Sequence, residues 1–168
     1  TATGSPTLSG IGTVNGTLTI AAAGGGAAGA VNPATAGTTG TLSAGATTIA
    51  GTYACDVISA AADLLAVTGN LDLTGAKFAL TSVTPTPGTY TIATYTGSLT
   101  GTFTPTPALP AGTSLDYATT GQIKLVIAAA SGYGSWATAN SVLEGENGDD
   151  DKDGIINLVE YALGLNPQ

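Results

Sequence analysis

Apolar and polar side chains alternate along most of the chain from Thr1 to about Ile127, with Gly, Pro, Ser and Asn between the alternating stretches. Between residues 67 and 74 the inward positions are Val67, Gly69, Leu71 and Leu73, and the outward ones are Thr68, Asn70, Asp72 and Thr74. Successive side chains of a β-strand point to opposite faces, so this alternation predicts short, half-buried strands. The inward set continues at Ala76, Phe78 and Leu80.

Later stretches of the same kind predict strands at Thr89–Tyr95, Leu99–Thr104, Leu115–Tyr117 and Ile123–Ile127. All of these stretches are short, and turn signals rich in Gly and Pro separate them. The dipeptide Thr-Gly recurs in several of the turns. A loose repetition of strand and turn is expected of a solenoid, a sandwich or an irregular barrel, and the pattern leaves these three folds open.

The carboxyl-terminal segment differs from the rest because its pattern is helical. Ser135 to Leu143 is predicted as a short helix with Ser135 as its N-cap. Asn157 to Leu163 is predicted as a second helix, with Gly164 as the first residue beyond it. Its apolar side consists of Leu158, Tyr161, Ala162 and Leu165, with Trp136 as the predicted packing partner. The chain therefore divides into a β-rich domain at residues 1–130 and a helix-loop-helix tail at residues 131–168.

Charge is sparse and unevenly distributed. Three Lys and no Arg stand against eleven acidic residues, which gives a net charge of −8. Seven of the acids lie in residues 144–168, with one Lys among them. Without a basic patch the chain repels nucleic acid, so we exclude a nucleic-acid partner, and an anionic membrane surface is disfavoured for the same reason. The absence of His removes the commonest general base, and we expect a protein that is not an enzyme.

The acidic tail contains one candidate functional motif, at residues 149–160. These residues read Asp-Asp-Asp-Lys-Asp-Gly-Ile-Ile-Asn-Leu-Val-Glu. This sequence satisfies the calcium-loop pattern, in which hard oxygen ligands recur at fixed positions around a turn at Gly154. The predicted ligands of Ca²⁺ are the carboxylates of Asp149, Asp151 and Asp153, the backbone carbonyl of Ile155, Asn157 through a water molecule, and both carboxylate oxygens of Glu160. Solvent exposure of an acidic run would not require Gly and Glu at these positions.

The loop resembles the calcium loops of dockerins and EF-hands, and also the Asp-rich tails of bacterial surface proteins. It departs from a full EF-hand in two ways. Gly145 and Gly148 interrupt any helix that would run into Asp149, and the chain has no second loop to pair with the first. A calcium-driven switch that opens a groove is therefore disfavoured, and we predict a structural clamp instead.

Six stretches of the β-rich region carry a further resemblance. They are Gly29–Leu42, Thr48–Ile58, Ala62–Ala76, Tyr90–Phe103, Leu115–Tyr117 and Ile123–Ile127. Together they resemble the terminal part of autotransporter-associated β-strand repeat proteins, which are long bacterial surface proteins. The resemblance implies a mainly β fold, a right-handed parallel β-solenoid followed by the helical calcium-binding tail, with a surface role and no catalytic residues. On the residue pattern alone, a β-sandwich is the alternative.

We therefore expect a non-enzymatic, extracellular module of the bacterial cell surface, structural or adhesive and stabilised by calcium. Its expected partners are other copies of itself or neighbouring repeats of a larger surface protein. Such a module is a candidate filament subunit, because an open solenoid end or free edge strand is a template for another strand. Residues 1–12, which are polar and interrupted by Gly, are the predicted extension.

The alternative function is a carbohydrate-binding or dockerin-type accessory module, whose target is a glycan or another surface. Glycan binding by the β-rich domain requires exposed aromatic rings on one face. The tyrosines available for such a face are Tyr53, Tyr90, Tyr95 and Tyr117. The alternation instead places Tyr53 and Tyr90 inside, which disfavours this function.

Two further features limit the class of protein. Cys55 is the single Cys of the chain and lies on the same side of its strand as Ile49 and Val57. We expect a buried core thiol there, and an intermolecular disulfide is the alternative. The longest run of low polarity, Ile20–Val31, consists largely of Ala and Gly and is too short to span a membrane.

Overall fold

The computed structural model describes residues 6–23, 28–81, 86–129 and 132–168. The chain forms two compact units, Thr1–Ala128 and Ala129–Gln168. Among the described residues the strands are, in chain order, β1 (Thr7–Ser9), β2 (Gly12–Val14), β3 (Leu18–Ile20), β4 (Ala30–Asn32), β5 (Thr41–Ala44), β6 (Thr47–Ile49), β7 (Thr52–Cys55), β8 (Val57–Ile58), β9 (Ala61–Ala62), β10 (Leu64–Val67), β11 (Leu71–Asp72), β12 (Lys77–Leu80), β13 (Gly88–Tyr95), β14 (Leu99–Thr100), β15 (Thr104–Pro105), β16 (Thr113–Asp116) and β17 (Gln122–Ile127). The helices are α1 (Tyr133–Ala139) and α2 (Asn157–Leu163).

The strands of the first unit form a β-solenoid of about four turns. Each turn contributes one strand to each of three faces. The first face has the order β2-β5-β10-β13, the second β3-β6-β11-β14, and the third β4-β7-β12-β15, with β1 beside β4. Strands of successive turns pair in parallel on every face. The predicted solenoid is thus confirmed, and the β-sandwich is wrong, because the chain winds from face to face.

The alternation in the sequence determines which side chains fill the solenoid. Five of the side chains predicted to point inward are buried, namely Val67, Leu71, Leu73, Ala76 and Phe78, and Leu80 is half-buried. Side chains at the outward positions Thr68, Asn70 and Thr74 are exposed. Parallel pairing in register then places the inward residue of one turn beside that of the next, so that Leu65 lies between Leu42 and Ala93. Burial of these apolar columns stabilises the stack of turns.

Three aromatic rings from successive turns pack together inside the solenoid. Tyr53 in β7 pairs with Phe78 in β12, and Phe103 precedes β15. The ring centroids are 5.9 Å apart for Tyr53 and Phe78, 5.6 Å for Phe78 and Phe103, and 5.4 Å for Tyr53 and Phe103. The Tyr53 hydroxyl donates a hydrogen bond to the carbonyl oxygen of Ile92 at 2.7 Å. This ring cluster joins three of the turns through side chains as well as backbone.

Two of the predicted strands differ from those in the structure. The stretch Leu99–Thr104, predicted as one strand, contains β14 and the start of β15, which lie on different faces. Between them Gly101 adopts a left-handed backbone conformation (φ 71°), which suits the corner between two faces. The strand predicted at Leu115–Tyr117 is β16, which begins and ends earlier. The strands predicted at Thr89–Tyr95 and Ile123–Ile127 are confirmed within β13 and β17.

The last turn of the solenoid leads into an antiparallel hairpin. Strand β17 pairs antiparallel with β13 across a bulge between Thr91 and Ala93, and β16 pairs antiparallel with β17. The Tyr117 hydroxyl accepts a hydrogen bond from the backbone N–H of Phe103 at 2.9 Å. Tyr117 and Leu109 also pack against the core. This arrangement ends the parallel pairing on the first face and covers part of the last turn.

The opposite end of the solenoid has no comparable cover within the described residues. Strands β1, β2 and β3 are the outer strands of the three faces. The side chains of Leu8 and Ile11 at this end are 37% and 75% exposed. Of the predicted extension at residues 1–12, residues 1–5 lie outside the described part. Residues Thr7–Ser9 form β1, which pairs in parallel with β4 of the same chain.

Two buried aspartates of the solenoid are held by neutral hydrogen-bond donors. The carboxylate of Asp63 accepts hydrogen bonds from the backbone N–H groups of Gly40 and Asp56, at 2.9 and 3.0 Å. The carboxylate of Asp56 accepts from the Thr81 hydroxyl at 2.7 Å and from the Asn32 amide at 3.3 Å. Burial raises the pKa of Asp63, and the two backbone donors oppose that shift. Both carboxylates therefore have protein partners for their buried oxygens.

The predicted buried thiol is confirmed at Cys55, which is free and lies in the interior of the solenoid. Burial raises the pKa of this thiol far above its ordinary value, so the group stays protonated. A buried, protonated thiol has no access to a second chain, which disfavours an intermolecular disulfide. In the described part of the chain, no helix has both the length and the apolar character needed to cross a membrane.

We predict that Phe78→Ala lowers the free energy of unfolding of the solenoid by about 3–5 kcal/mol, because it removes a fully buried ring and leaves a cavity between Tyr53 and Phe103. Urea unfolding followed by far-UV circular dichroism measures this change. The control Ile11→Ala alters an exposed apolar residue of the first turn and should change the free energy by less than about 0.5 kcal/mol. Equal effects of the two substitutions would contradict the packed ring cluster.

Candidate metal centre

The tail contains the two helices and, between them, residues 140–156 without a further helix or strand. The second helix has the predicted bounds, Asn157–Leu163. The first helix runs from Tyr133 to Ala139 instead of over Ser135–Leu143. Its N-cap residue is Gly132, which makes no side-chain capping bond, so the predicted Ser135 N-cap is wrong. The helix also ends before the loop, as the interruption predicted upstream of the calcium pattern requires.

An aromatic cluster of Tyr133, Trp136 and Tyr161 explains the early start of α1. Tyr133 and Trp136 are three residues apart and so share one face of the helix. Their ring centroids lie 5.7 Å apart. Tyr161 of α2 packs against both rings, at 5.8 Å from Tyr133 and 5.7 Å from Trp136. Extending α1 toward its amino end brings Tyr133 into this contact, and the predicted packing of Trp136 against α2 is confirmed.

The loop brings the three predicted aspartate ligands together. One carboxylate oxygen from each of Asp149, Asp151 and Asp153 lies within 4.8 Å of the other two. Ligand oxygens lie about 2.3–2.6 Å from a calcium ion, so these three oxygens suit one common ion. The same carboxylates accept hydrogen bonds from backbone N–H groups within the loop. Asp149 accepts from Gly154 at 3.0 Å, Asp151 from Asp153 at 3.1 Å, and Asp153 from Ile155 at 2.8 Å.

Gly154 forms the turn at the centre of the loop, with a φ of 92° that residues with a side chain rarely adopt. Beyond this turn the chain reaches Asn157 and Glu160, in the first turn of α2. Asn157 is 0% exposed and Glu160 is 1% exposed. The backbone N–H of Asn157 donates to the carbonyl of Gly148 at 2.8 Å, which holds the start of α2 beside the start of the loop.

Asp150 is not a ligand position in the calcium-loop pattern. Its carboxylate instead has a structural role in the loop. Its carboxylate accepts hydrogen bonds from the backbone N–H groups of Leu143 at 2.6 Å and Glu144 at 3.0 Å, and from the Asn157 amide at 3.2 Å. The bond from Leu143 is the main cause that lowers the pKa of Asp150. The Asn157 amide nitrogen also donates to the Gly145 carbonyl at 2.8 Å. The nitrogen is therefore used in hydrogen bonds that hold the loop, whereas the amide oxygen has no hydrogen-bond partner among the described residues.

Four buried oxygens at predicted ligand positions have no hydrogen-bond partner within the described residues. They are Oδ1 of Asp149, Oδ1 of Asn157, and Oε1 and Oε2 of Glu160. A carboxylate buried without a donor is unfavourable, unlike the two hydrogen-bonded aspartates of the solenoid. Carboxylate and amide oxygens are the ligands that hard cations such as Ca²⁺ prefer. This set of residues therefore fits a bound cation.

Electrostatics within the loop also favour a cation. Burial raises the pKa of Glu160, and the negative charges of Asp151, Asp153, Asp149 and Asp150 raise it further. These acids repel one another in the absence of a counter-charge. A divalent cation at the centre of the loop would offset this repulsion and favour the ionised form of each acid.

The structure thus groups the predicted ligands in part. Asp149, Asp151 and Asp153 form the 4.8 Å cluster, whereas Glu160 lies outside it and close enough for their charges to raise its pKa. Ile155 contacts the cluster through its backbone N–H, and the metal-binding role of its carbonyl stays a prediction. Sequence reasoning missed the structural role of Asp150, because the loop pattern specifies ligands and not the residues that hold the loop.

Comparison of the chain with protein-family models, with curated proteins and with solved structures finds no match. The resemblances to autotransporter-associated repeats and to dockerin or EF-hand loops therefore remain hypotheses drawn from sequence motifs.

We predict that Glu160→Gln makes the metal-free tail more stable at neutral pH, because it removes a buried charge from among four aspartates. A raised pKa stabilises the native state at low pH, and this stabilisation is lost as the pH rises through the folded pKa. The advantage of the variant should therefore grow as the pH rises above 4.5, the ordinary value for Glu.

Thermal melting in chelator, followed by the fluorescence of Trp136, measures this effect, since the chain's one Trp lies in the tail. The control Glu144→Gln removes an equal charge from an exposed side chain and should change the melting temperature much less. A lower melting temperature for Glu160→Gln than for the wild type at neutral pH would contradict the prediction that the Glu160 carboxylate has no stabilising partner in the metal-free tail.

Proposed function

We propose that the tail binds one Ca²⁺ ion, and that the chain is a non-enzymatic structural or adhesive module of an extracellular, bacterial cell-surface protein. The proposed ligands are the carboxylates of Asp149, Asp151, Asp153 and Glu160, the backbone carbonyl of Ile155, and Asn157 through a water molecule. The observation that carries this proposal is the group of four buried oxygens without a hydrogen-bond partner. A cation bound to the loop would satisfy them.

The chemistry of the donors supports Ca²⁺ over other metal ions. Every proposed ligand atom is an oxygen, whereas zinc sites in proteins rely on Cys and His. The chain has no His, and its one Cys is buried in the solenoid. Mg²⁺ requires a compact octahedral site and retains several waters, whereas a loop that offers three aspartates and a two-oxygen Glu suits the larger shell of Ca²⁺.

Contacts around the loop support a permanent clamp instead of a calcium sensor. Asp150 connects the loop to residues 143 and 144, and the backbone N–H of Leu158 donates to the carbonyl of Glu146 at 3.0 Å. The aromatic cluster connects α1 to α2. No helix runs through residues 140–148, so the loop lacks the entering helix that swings open in calcium sensors.

Reactive groups of the solenoid support a non-enzymatic role. Asp56 and Asp63 are buried, and their carboxylates accept hydrogen bonds from protein donors. Cys55 is buried and protonated. The proposed extracellular location suits a permanent calcium clamp, because extracellular modules bind calcium with dissociation constants of about 10⁻⁴–10⁻³ M.

The exposed end of the solenoid supports a partner that extends it. Strands β1, β2 and β3 present outer edges there, and Leu8 and Ile11 are exposed beside them. A neighbouring repeat, or another copy of the chain, would add a turn by pairing with these edges. The pairing of β1 within its own chain makes these edges a better candidate than a free extension at residues 1–12.

Carbohydrate binding has less support. Tyr53, Tyr90 and Tyr95 are buried, as the alternation predicts for the first two. Tyr117 is half-buried and its hydroxyl accepts a hydrogen bond from Phe103. These four rings do not form the exposed aromatic platform that the alternative function requires, so we propose the structural function alone.

We predict that Ca²⁺ raises the melting temperature of the tail, which is measured by thermal melting monitored through Trp136 fluorescence. At a free concentration of one hundred times the dissociation constant, the stabilisation should reach about 2.7 kcal/mol. Asp153→Ala should abolish this shift, because it removes one of the three clustered carboxylates. The control Asp116→Asn, in β16 of the solenoid, should leave the shift unchanged. An unchanged melting temperature of the wild-type tail on addition of Ca²⁺ would refute the proposed clamp.

We also predict that assembly depends on the exposed solenoid end. Sedimentation velocity of the wild-type chain should show concentration-dependent oligomers, and the double substitution Leu8→Lys with Ile11→Lys should reduce them by adding charge to that end. Thr102→Lys adds one such charge at an exposed position of the last turn and serves as the control. Loss of oligomers only in the control would place the contact at the other end.

A further inference from the structure

The hydroxyl oxygen of Tyr133 is a buried polar atom without a partner in the described ranges, and the calcium-loop pattern does not account for it. Among the described residues, the other buried side-chain oxygens of this kind are those of Asp149, Asn157 and Glu160. Tyr133 lies well upstream of the loop, in the first turn of α1. A phenol hydroxyl is both donor and acceptor, so burying it without a partner is unfavourable.

The fold places this hydroxyl near the loop acids. The Tyr133 ring packs edge-on against Tyr161, the residue that follows Glu160 in α2, with centroids 5.8 Å apart. Burial raises the pKa of Tyr133, and the charges of Glu146, Asp150 and Glu160 raise it further. A phenol hydroxyl can donate a hydrogen bond to a carboxylate, and the Glu160 oxygens are the buried acceptors next to Tyr161 in the chain.

We infer that the Tyr133 hydroxyl is a positioning group of the metal centre, which donates a hydrogen bond to the Glu160 carboxylate when the loop holds Ca²⁺. This inference rests on the proposed calcium binding and adds a residue to it. Both Glu160 oxygens lack a donor among the residues that the structure describes, and each keeps a further lone pair when it binds a metal ion. Hydrogen bonds from outside the ligand shell orient such carboxylates and strengthen metal binding.

Removing the Tyr133 hydroxyl oxygen distinguishes a role in metal binding from a role in ring packing. Tyr133→Phe keeps the ring and its contacts with Trp136 and Tyr161. In the metal-free tail this change removes a buried group without a partner, so the melting temperature should stay the same or rise. In the calcium-bound tail it removes a hydrogen bond to a ligand, so the affinity for Ca²⁺ should fall about tenfold.

The experiment combines two measurements on the full chain: melting in chelator, followed by Trp136 fluorescence, and titration calorimetry with Ca²⁺. Tyr161→Phe is the matched control, because it removes a hydroxyl from another ring of the same cluster and should leave the affinity unchanged. The expected result is a lower affinity for Tyr133→Phe alone, without a lower metal-free melting temperature.

Three results would overturn the inference. An affinity of Tyr133→Phe equal to that of the wild type would show that the hydroxyl has no part in binding, with the calcium clamp itself intact. A lower melting temperature in chelator would show that the hydroxyl already has a partner without metal. Absence of calcium binding by the wild-type chain would overturn both this inference and the proposed function.

Discussion

Buried polar groups need a partner, and this constraint governs both units of the chain in different ways. In the solenoid the backbone groups of one turn are satisfied by the next, and the buried carboxylates of Asp56 and Asp63 accept hydrogen bonds from neutral donors. In the tail the Glu160 carboxylate is equally buried and has no donor in the part of the chain that the structure describes. The buried carboxylates of the solenoid therefore have protein donors, whereas the proposed partner of the Glu160 carboxylate is a bound cation.

The two units also differ in how they use their side chains. The solenoid is built from apolar columns and a cluster of three rings, so each turn stabilises its neighbours in the same way. The tail has few residues and much of the chain's negative charge, and its helices are joined by the partly exposed aromatic cluster of Tyr133, Trp136 and Tyr161. Without a cation, repulsion among the loop acids opposes this limited packing, which is why a clamp would matter there.

Local patterns in the sequence predicted much of this structure. Alternation identified the buried set around Val67–Phe78, and the spacing of acids around Gly154 identified the loop. The corner at Gly101 was missed, because alternation continues through a bend between faces. The start of α1 was missed because it depends on the contact of Tyr133 with Tyr161, which is distant in the chain. The role of Asp150 was missed because a ligand pattern contains no signal for the backbone contacts that hold the loop.

Anomalous scattering from crystals grown with Ca²⁺ would show directly whether the loop holds the ion. We expect one anomalous peak in the loop, bounded by carboxylate oxygens of Asp149, Asp151, Asp153 and Glu160 and by the carbonyl oxygen of Ile155. A well-ordered tail without that peak, in which the Glu160 carboxylate bonds to a protein donor or faces solvent, would contradict it.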